Sequence, residues 1–315
     1  MRANVKVYVF DPLWPTLLTP QNEAQLRAAG AEVILTTEKT PFSDSDVLLH
    51  DVSPKILAIN PDYVDWSLPP DSFKNIPNLS CIITGSTSYG WIDTGFAKAN
   101  GITVCNTRNF SSDAVADWAV LMVLNIARKI PLLIKNQFPL NLGSDFETYQ
   151  GMNLKGKVAG IIGLGNIGEA IAERCHGLGM SVCYWNRSPK NTQWDKIDLA
   201  ELFSRSDVVF PCMADTEETQ HVISDDMIRS MKKTSLFVSI VHKYYNHELI
   251  LEAVNKGAMY GYAFESEPAN FHNYAGNVWA APAYAWCTDG SMRQMMDAFV
   301  QAISDAVKGI YPTQV

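Results

Sequence analysis

The chain has 315 residues, enough for two domains, and its 47% apolar and 18% charged residues are typical of an ordinary globular protein. The formal net charge is −8 and no cluster of Lys and Arg offsets it, so a nucleic-acid partner is not expected. Every apolar run is too short to cross a bilayer, so a membrane partner is not expected either.

The N-terminal residues and the cysteines both predict a cytoplasmic protein. Residues 1–10 alternate apolar and polar like a first strand, and they lack the apolar core and cleavage site of a signal peptide. The six cysteines contain no Cys-x-x-Cys pair and lie in core-like segments, which predicts buried, reduced thiols instead of disulfides or metal ligands. They are Cys81, Cys105, Cys175, Cys183, Cys212 and Cys287.

Strand patterns alternate with helical patterns through the first hundred residues. Strands are predicted at 5–10, 32–35, 79–84 and 102–105, helices at 21–29 and 94–100, and further short apolar runs occur at 47–49 and 56–59. Such alternation predicts a parallel sheet with helices on both faces.

Residues 111–129 predict a helix that is apolar almost all the way round. Asp113 lies near its start and Arg128 and Lys129 lie at its end, where they complement the helix dipole. A helix of this kind is covered on every side. One cover is expected to be the sheet of its own domain, and the other a second subunit or the other domain.

A glycine-rich turn follows the apolar run at 158–162. Gly163 permits a tight turn, Gly165 lets a pyrophosphate approach the backbone, and Gly168 lets the next helix lie close to the strand. The helix N-terminus then offers N–H groups to phosphates. With a helix at 169–177 and a second strand at 182–185, the segment predicts dinucleotide binding. The predicted contacts are Gly163, Leu164, Gly165, Asn166, Ile167 and Gly168.

The alternation repeats beyond residue 188, and a final helix at about 290–308 is expected to return to the first domain. The predicted fold class is α/β, with two Rossmann-like, doubly wound parallel-sheet domains. Residues 106–283 are predicted to form a dinucleotide-binding domain, inserted into a flavodoxin-like substrate domain made of residues 1–105 and 284–315.

An ordered set of motifs resembles the D-isomer-specific 2-hydroxyacid dehydrogenase family over nearly the whole chain. The resemblance implies a cleft between the domains and a homodimer built on the dinucleotide-binding domains. It also implies hydride transfer between a nicotinamide and a small 2-oxo or 2-hydroxy acid. The motifs lie at residues 101–107, 114–119, 162–168, 231–233 and 267–268, with Asn277, Val278 and Pro282.

The resemblance implies three catalytic side chains, of which this sequence plainly has one. The family's Glu, which orients a catalytic His, matches Glu267. The family's Arg, which holds the substrate carboxylate, falls on His242 or Val241 depending on the direction of counting, and Lys243 follows. The family's proton-donating His falls on Ala283, whose methyl group cannot donate a proton. Glu267, His242 and Lys243 are the candidate catalytic residues.

Further departures from the family fall at other positions that the resemblance assigns to ligands. The expected substrate-binding positions are Ser86, Thr87, Ser88 and Trp286. Glu265 stands where the family has an Asp near the nicotinamide amide, and Cys212 and Ala214 replace a His and a Pro along the cofactor wall. The remaining expected cofactor contacts are Met213, Thr219, Ile240 and Ala283.

The residues after the second strand of the glycine-rich unit predict which cofactor binds. NAD-dependent enzymes place an acidic residue there for the ribose hydroxyls. This chain has Asn186, Arg187 and Ser188, with Lys190 nearby, and the cations would pair with a 2′-phosphate. The sequence therefore predicts NADP(H), and the alternative is a basic surface turn that lacks Asp by coincidence.

Two functions of different class remain open. The first is an NADP(H)-dependent oxidoreductase acting on a 2-oxo acid or a related carbonyl or imine, with the proton supplied by His242, by Tyr244 or Tyr245, or by water. The second is an NADP(H)-binding sensor or partner-binding dimer without turnover. Aromatic residues suggest a bulky substrate pocket, although core packing explains aromatics equally: Tyr63, Trp66, Tyr89, Trp91, Tyr284 and Trp286.

Overall fold

The computed structural model describes residues 5–42, 45–137, 146–214, 218–240, 244–265 and 274–315. The chain forms two compact units, the first made of Met1–Ser111 and Asp289–Val315 and the second of Ser112–Thr288. The sequence predicted domain boundaries at 105/106 and 283/284, each a few residues before the boundary found in the structure. Each unit is an α/β structure with a parallel sheet, as predicted.

The first unit is built on a five-stranded parallel sheet of order β2-β1-β3-β4-β5. The strands are β1 (Lys6–Phe10), β2 (Glu32–Thr36), β3 (Lys55–Ile59), β4 (Leu79–Thr84) and β5 (Thr103–Asn106). The helices are α1 (Trp14–Leu17), α2 (Pro20–Ala29), α3 (Asp46–His50), α4 (Pro70–Phe73), α5 (Thr94–Ala99) and α13 (Asp289–Val307), with a 3-10 turn at Pro61–Val64. The C-terminal helix α13 contacts α2, β3 and β4 of this unit.

The apolar run at 47–49 lies in the short helix α3. The Oγ atom of Ser45 accepts a hydrogen bond from the N–H of Leu48 at 3.3 Å, which caps the first turn. The Leu48 side chain is then fully buried in the core on one face of the sheet. The apolar run alone did not predict whether these residues form a helix or a strand. The hydrogen bond from Leu48 to Ser45 explains why they form a helix.

The second unit is built on a seven-stranded parallel sheet of order β12-β11-β10-β9-β6-β7-β8. The strands are β6 (Val158–Ile162), β7 (Ser181–Trp185), β8 (Asp195–Lys196), β9 (Val208–Pro211), β10 (Leu236–Ser239), β11 (Gly261–Glu265) and β12 (Val278–Ala281). The helices are α6 (Ser112–Ala127), α7 (Ile130–Lys135), α8 (Phe146–Tyr149), α9 (Asn166–Gly177), α10 (Leu199–Arg205), α11 (Asp225–Arg229) and α12 (His247–Asn255). The chain leaves β6 towards β7 and later returns to β9 on its other side, so the order reverses beside β6. Ligands of such sheets bind beyond the carboxyl ends of the strands at this reversal.

Helix α6 is covered on part of its circumference within its own unit. It packs against α9 and against β10, β11 and β12, and Arg174 of α9 is ion-paired with Asp113 and Asp117. Leu121 and Leu124 remain exposed on another part of the helix. The sheet and α9 therefore supply one of the two covers that the apolar pattern predicts.

The cysteines are free, and five of the six are at least partly buried, as predicted. The prediction is wrong for Cys287, whose side chain is exposed, because it lies in the irregular turn after β12 and not in a core strand. None of the helices in the described parts of the chain is long and apolar enough to span a membrane.

Candidate functional site

The glycine turn joins β6 to α9 at the carboxyl edge of the second sheet. Gly163 has φ +96°, a conformation that side chains disfavour, and its N–H donates to the carbonyl of Trp185 at 2.9 Å. A Cβ atom on Gly168 would lie 2.3 Å from the Gly163 carbonyl oxygen. The turn therefore requires the first and third glycines for its own geometry.

The middle glycine leaves space for a ligand. Gly165 is the N-cap of α9, and a Cβ atom placed on it would meet nothing within 4 Å. Because glycine has no side chain, it offers no acceptor to the first N–H groups of the helix. A phosphate group fits such a position, where the N–H groups and the helix dipole both favour negative charge. The turn thus fits the pyrophosphate of a dinucleotide.

A pocket of about 520 Å³ opens beside this turn. Its walls come from the glycine turn, the end of β7 and the segment after β9. Eleven of the sequence-predicted cofactor residues line it: Gly163, Leu164, Gly165, Asn186, Arg187, Ser188, Lys190, Cys212, Met213, Ala214 and Thr219. Asn166, Ile167 and Gly168 lie instead in the first turn of α9. The volume is within the range of ordinary small-molecule pockets.

The turn after β7 forms the basic wall of the pocket. The Asn186 side-chain oxygen accepts a hydrogen bond from the N–H of Leu164 at 2.7 Å, so it fixes the glycine turn. The buried hydroxyl of Tyr184 accepts from the N–H of Lys190 at 3.0 Å, which holds the rest of this basic turn. Arg187 forms an ion pair with Glu218 across the pocket wall. An arginine therefore lines this wall of the pocket, and a carboxylate already contacts it.

The segment after β9 forms the opposite wall. Met213 lies against Gly163, and its N–H and carbonyl are both hydrogen-bonded to the Tyr244 hydroxyl, at 3.0 and 3.1 Å. Tyr245 is buried as well, and its hydroxyl contacts that of Tyr262 at 2.8 Å. Burial raises the pKa of Tyr245 to about 12. The suggestion that these tyrosines donate a proton to substrate is wrong, because both hydroxyls are engaged in the core.

The ends of β11 and β12 carry other predicted ligand positions. Glu265 ends β11, and its Oε1 atom accepts a hydrogen bond from the N–H of Ala285 at 3.1 Å. Burial raises the pKa of Glu265 to about 7, although the hydrogen bond from Ala285 lowers it. Ala283 and Trp286 are exposed in the same turn, and Ile240 is buried just after β10. These residues lie outside the lining of the 520 Å³ pocket.

The three candidate catalytic residues, Glu267, His242 and Lys243, lie outside the described residues. The first unit holds the predicted carboxylate-binding turn at the carboxyl end of β4. Ser86 is nearly buried, its hydroxyl contacts that of Thr84 at 2.8 Å, and it donates to the Ser88 carbonyl at 2.7 Å. The side chain of Asn106 donates to the Thr87 carbonyl at 2.7 Å. The turn is therefore rigid, and the Ser86 hydroxyl is used internally.

Two tryptophans lie beside that turn, Trp66 exposed and Trp91 half-buried. Trp91 donates its ring N–H to the Ser88 carbonyl at 3.1 Å, and its ring lies edge-on to that of Trp66 at 6.2 Å. Asp65 and Trp66 both have positive φ, at 51° and 55°, which is an unfavourable backbone conformation, and Trp66 is 47% exposed. Tyr63, by contrast, is a core residue.

A larger pocket of about 620 Å³ lies elsewhere in the first unit, between the segments at 39–42 and 63–76. Apart from Tyr63, the residues singled out in the sequence do not line it, and its rim carries an ion pair between Lys39 and Asp65. Size alone therefore does not mark the dinucleotide site.

The sequence missed four residues of the 520 Å³ pocket, namely Trp185, Pro189, Glu218 and Val222. Trp185 and Pro189 adjoin predicted residues, so proximity along the chain was an available signal. Glu218 and Val222 follow a segment with no strand or helix pattern, and only the folded chain places Glu218 against Arg187.

Comparisons with known proteins agree with this geometry. A family model described as D-isomer specific 2-hydroxyacid dehydrogenase, NAD binding domain, matches residues 120–284, more than half of the chain. A glyoxylate reductase of Thermofilum pendens is 27% identical over 98% of this chain and 94% of that enzyme. A glyoxylate/hydroxypyruvate reductase of Arabidopsis thaliana is 28% identical over 70% of each chain.

Among solved structures, an acyclic imino acid reductase in complex with NADPH and D-Arg superposes with a TM-score of 0.78. The alignment covers 99% of both chains at 19% sequence identity, so the likeness concerns the fold alone.

Proposed function

Because this chain belongs to the D-isomer-specific 2-hydroxyacid dehydrogenase family, we propose that it is an NADPH-dependent reductase of a small 2-oxo acid or a related carbonyl or imine. Its membership makes it an NAD(P)-dependent oxidoreductase of the 2-hydroxyacid dehydrogenase type. The preference for NADP(H), the substrate class and an altered proton donor are the proposed parts. The bound nicotinamide would supply the hydride.

The observation that carries the cofactor preference is the basic wall of the pocket. A carboxylate at position 186 would repel a 2′-phosphate, whereas Asn186 is neutral and Arg187 and Lys190 add positive charge. An Arg guanidinium pairs with phosphate in two-point geometry. The solved imino acid reductase, which has a similar fold, holds NADPH. We therefore propose that the 2′-phosphate displaces Glu218 from Arg187.

The substrate end of the proposal rests on the first unit. The turn at Ser86–Ser88 would present backbone N–H groups to a carboxylate, since the Ser86 hydroxyl is already engaged. Trp66 and Trp91 lie next to it and would contact an apolar side chain of the substrate. Related proteins of this fold are named glyoxylate, hydroxypyruvate or imino acid reductases. We therefore propose a 2-oxo acid, or the imine derived from one, as the substrate class.

A second candidate is an NADP(H)-binding protein without turnover. The observation in its favour is Ala283, whose methyl group stands where the family carries its proton-donating His. Loss of a general acid slows a reaction by ~10²–10⁴-fold without abolishing it. The alanine at position 283 is therefore compatible with both the reductase and a protein without turnover.

One experiment separates the two functions. The purified protein is titrated with NADPH and NADH, and NADPH oxidation is then followed with glyoxylate, hydroxypyruvate, phenylpyruvate and a 2-oxo acid plus ammonia. Tighter NADPH binding with turnover of one of these substrates supports the reductase. Tight NADPH binding without turnover of any supports the second function, and tighter NADH binding would contradict the cofactor preference.

We also propose a homodimer through the dinucleotide-binding unit. Helix α6 has Leu121 and Leu124 exposed, although it is apolar on most of its surface. Exposed apolar helix faces commonly mark association surfaces. Light scattering checks this assembly, and a monomeric mass at micromolar concentration would contradict it.

A further inference from the structure

A reductase of this type needs a proton donor at the carbonyl oxygen of its substrate, and the turn after β12 lacks the family's His. Ala283 has only a methyl group, and the hydroxyls of Tyr244 and Tyr245 are committed to the core. Among the described residues, an acidic group near the ends of β11 and β12 would be a suitable replacement donor.

Glu265 is a carboxyl group in that place. It ends β11, pairs in register with Ala281 of β12, and is held by the N–H of Ala285 at 3.1 Å. Ala283 lies midway in sequence between those two alanines. The Glu265 carboxyl group is therefore anchored in the same turn that carries position 283. Glu265 is only partly buried, whereas the rest of β11 is buried.

The protonation of Glu265 suits a general acid near neutral pH. Loss of solvation raises its pKa to about 7, so the neutral form is substantially populated in that range. Efficient general acids have a pKa near the working pH. The family's Asp at this position is shorter by one methylene, so the Glu also extends further from the strand end.

We propose that Glu265 is the proton donor of this enzyme, in place of the His that Ala283 replaces. This inference rests on the proposed reductase function. A bound nicotinamide would supply the hydride, with its electron pair, to the carbonyl carbon and would itself become oxidised. The O–H bond of Glu265 breaks while a new O–H bond forms on the carbonyl oxygen. The resulting carboxylate regains a proton from water.

The charges around Glu265 set the pH dependence of this step. Within the described residues, no charged side chain contributes to the raised pKa of Glu265. Burial raises this pKa, and the hydrogen bond from the Ala285 N–H lowers it. The sequence also has His242 and Lys243 at 241–243, after β10, and Glu267 and His272 at 266–273, after β11, and both segments lie outside the described residues. Since the protonated form is active in reduction, kcat is expected to fall as pH rises through about 7.

The first test is the variant Glu265→Gln, which keeps the length and polarity of the side chain but cannot donate an acidic proton. With a 2-oxo acid that the wild type reduces, kcat is expected to fall by ~10²–10⁴-fold while the KM for NADPH changes little. The decline of kcat above about pH 7 is expected to disappear. Glu265→Asp should retain part of the rate. The matched control is Glu252→Gln, which changes an exposed carboxyl group of α12 that has no place in the proposed site and should change neither value.

If Glu265 only holds the nicotinamide amide, Gln can replace it in that hydrogen bond. The variant would then keep kcat within a few-fold and retain the pH profile, which would overturn the inference while the reductase function stands. A loss of activity in Glu252→Gln that matches the loss expected for Glu265→Gln would overturn it as well.

The second test does not depend on turnover. Oxamate, an unreactive analogue of a 2-oxo acid, is titrated into the protein with bound NADPH between pH 5.5 and 8.5. Oxamate affinity is expected to fall as pH rises through about 7 in the wild type, and to be independent of pH in Glu265→Gln. If the wild type turns over no substrate, the reductase function fails, and this measurement still decides whether Glu265 donates to a carbonyl oxygen. A pH dependence that is the same in both proteins overturns the inference.

Discussion

Arg187 provides the sharpest check on the cofactor preference, through the variant Arg187→Ala. In the absence of cofactor, its side chain is 81% exposed and pairs with Glu218, which is 74% exposed. An ion pair between such exposed groups contributes about 0–1 kcal/mol to stability. The variant is therefore expected to fold normally, so a change in cofactor affinity can be assigned to the pocket.

The expected loss of NADPH affinity follows from the contact that Arg187 would make. A hydrogen bond to a charged group contributes ~1.5–3 kcal/mol, but the exposure of Arg187 and competition from Glu218 reduce this value. A net loss of about 1–2 kcal/mol corresponds to a Kd for NADPH that is ~5–30-fold higher. NADH has a hydroxyl group in place of the phosphate, so its Kd should change little.

The assay is titration of nicotinamide fluorescence at two ionic strengths. Salt is expected to weaken NADPH binding more in the wild type than in Arg187→Ala, because screening acts on the charge pair that the variant lacks. The matched control is Arg205→Ala, which removes another exposed, ion-paired arginine of the same unit that does not line the pocket. An equal loss of affinity for NADPH and NADH in Arg187→Ala would refute the assignment.

A reciprocal change at the partner should have the opposite sign. Glu218→Gln frees Arg187 from its ion pair and removes a negative charge from the pocket wall. An exposed pair is worth ~0.2–1 kcal/mol, so NADPH should bind about 1.5–5-fold more tightly. Unchanged or weaker NADPH binding would show that Glu218 does not compete with the cofactor.

Three further variants test the rest of the site. Gly168→Ala places a Cβ atom 2.3 Å from a carbonyl oxygen of the glycine turn, so it should lower the free energy of unfolding by ~1–3 kcal/mol and weaken the binding of both cofactors. The control Gly177→Ala, in the same helix, meets no atom within 4 Å and should be tolerated. Thermal unfolding of the two variants measures the difference in stability. Tyr244→Phe leaves the wall of the pocket without its hydrogen bonds and should weaken NADPH and NADH alike by about 5-fold or more, while Tyr245→Phe should leave both affinities unchanged. Trp66→Ala should lower kcat/KM for phenylpyruvate by ~5–30-fold relative to glyoxylate, and an equal effect on both substrates would argue against a side-chain contact.

Local sequence patterns predicted much of the architecture. The alternation of short apolar strands with helices predicted two parallel-sheet α/β domains, and both sheets are parallel. The spacing of Gly163, Gly165 and Gly168 predicted a strand-turn-helix unit, because a positive φ and a close backbone approach are properties of the residues themselves. The helix α3 was not predicted, since its cap at Ser45 involves one short-range hydrogen bond in a weak pattern.

The sequence by itself determined the family, the parallel α/β fold and the position of the glycine turn, since each depends on residues that are close together in the chain. Only the tertiary structure decided which groups are available for chemistry. In the folded chain, Glu218 forms an ion pair with Arg187, and the Tyr244 hydroxyl is hydrogen-bonded to the backbone of Met213. Glu265 is partly buried and accepts a hydrogen bond from Ala285. Electrostatic pairing and loss of solvation depend on the surroundings in space, and residues far apart in the sequence supply those surroundings.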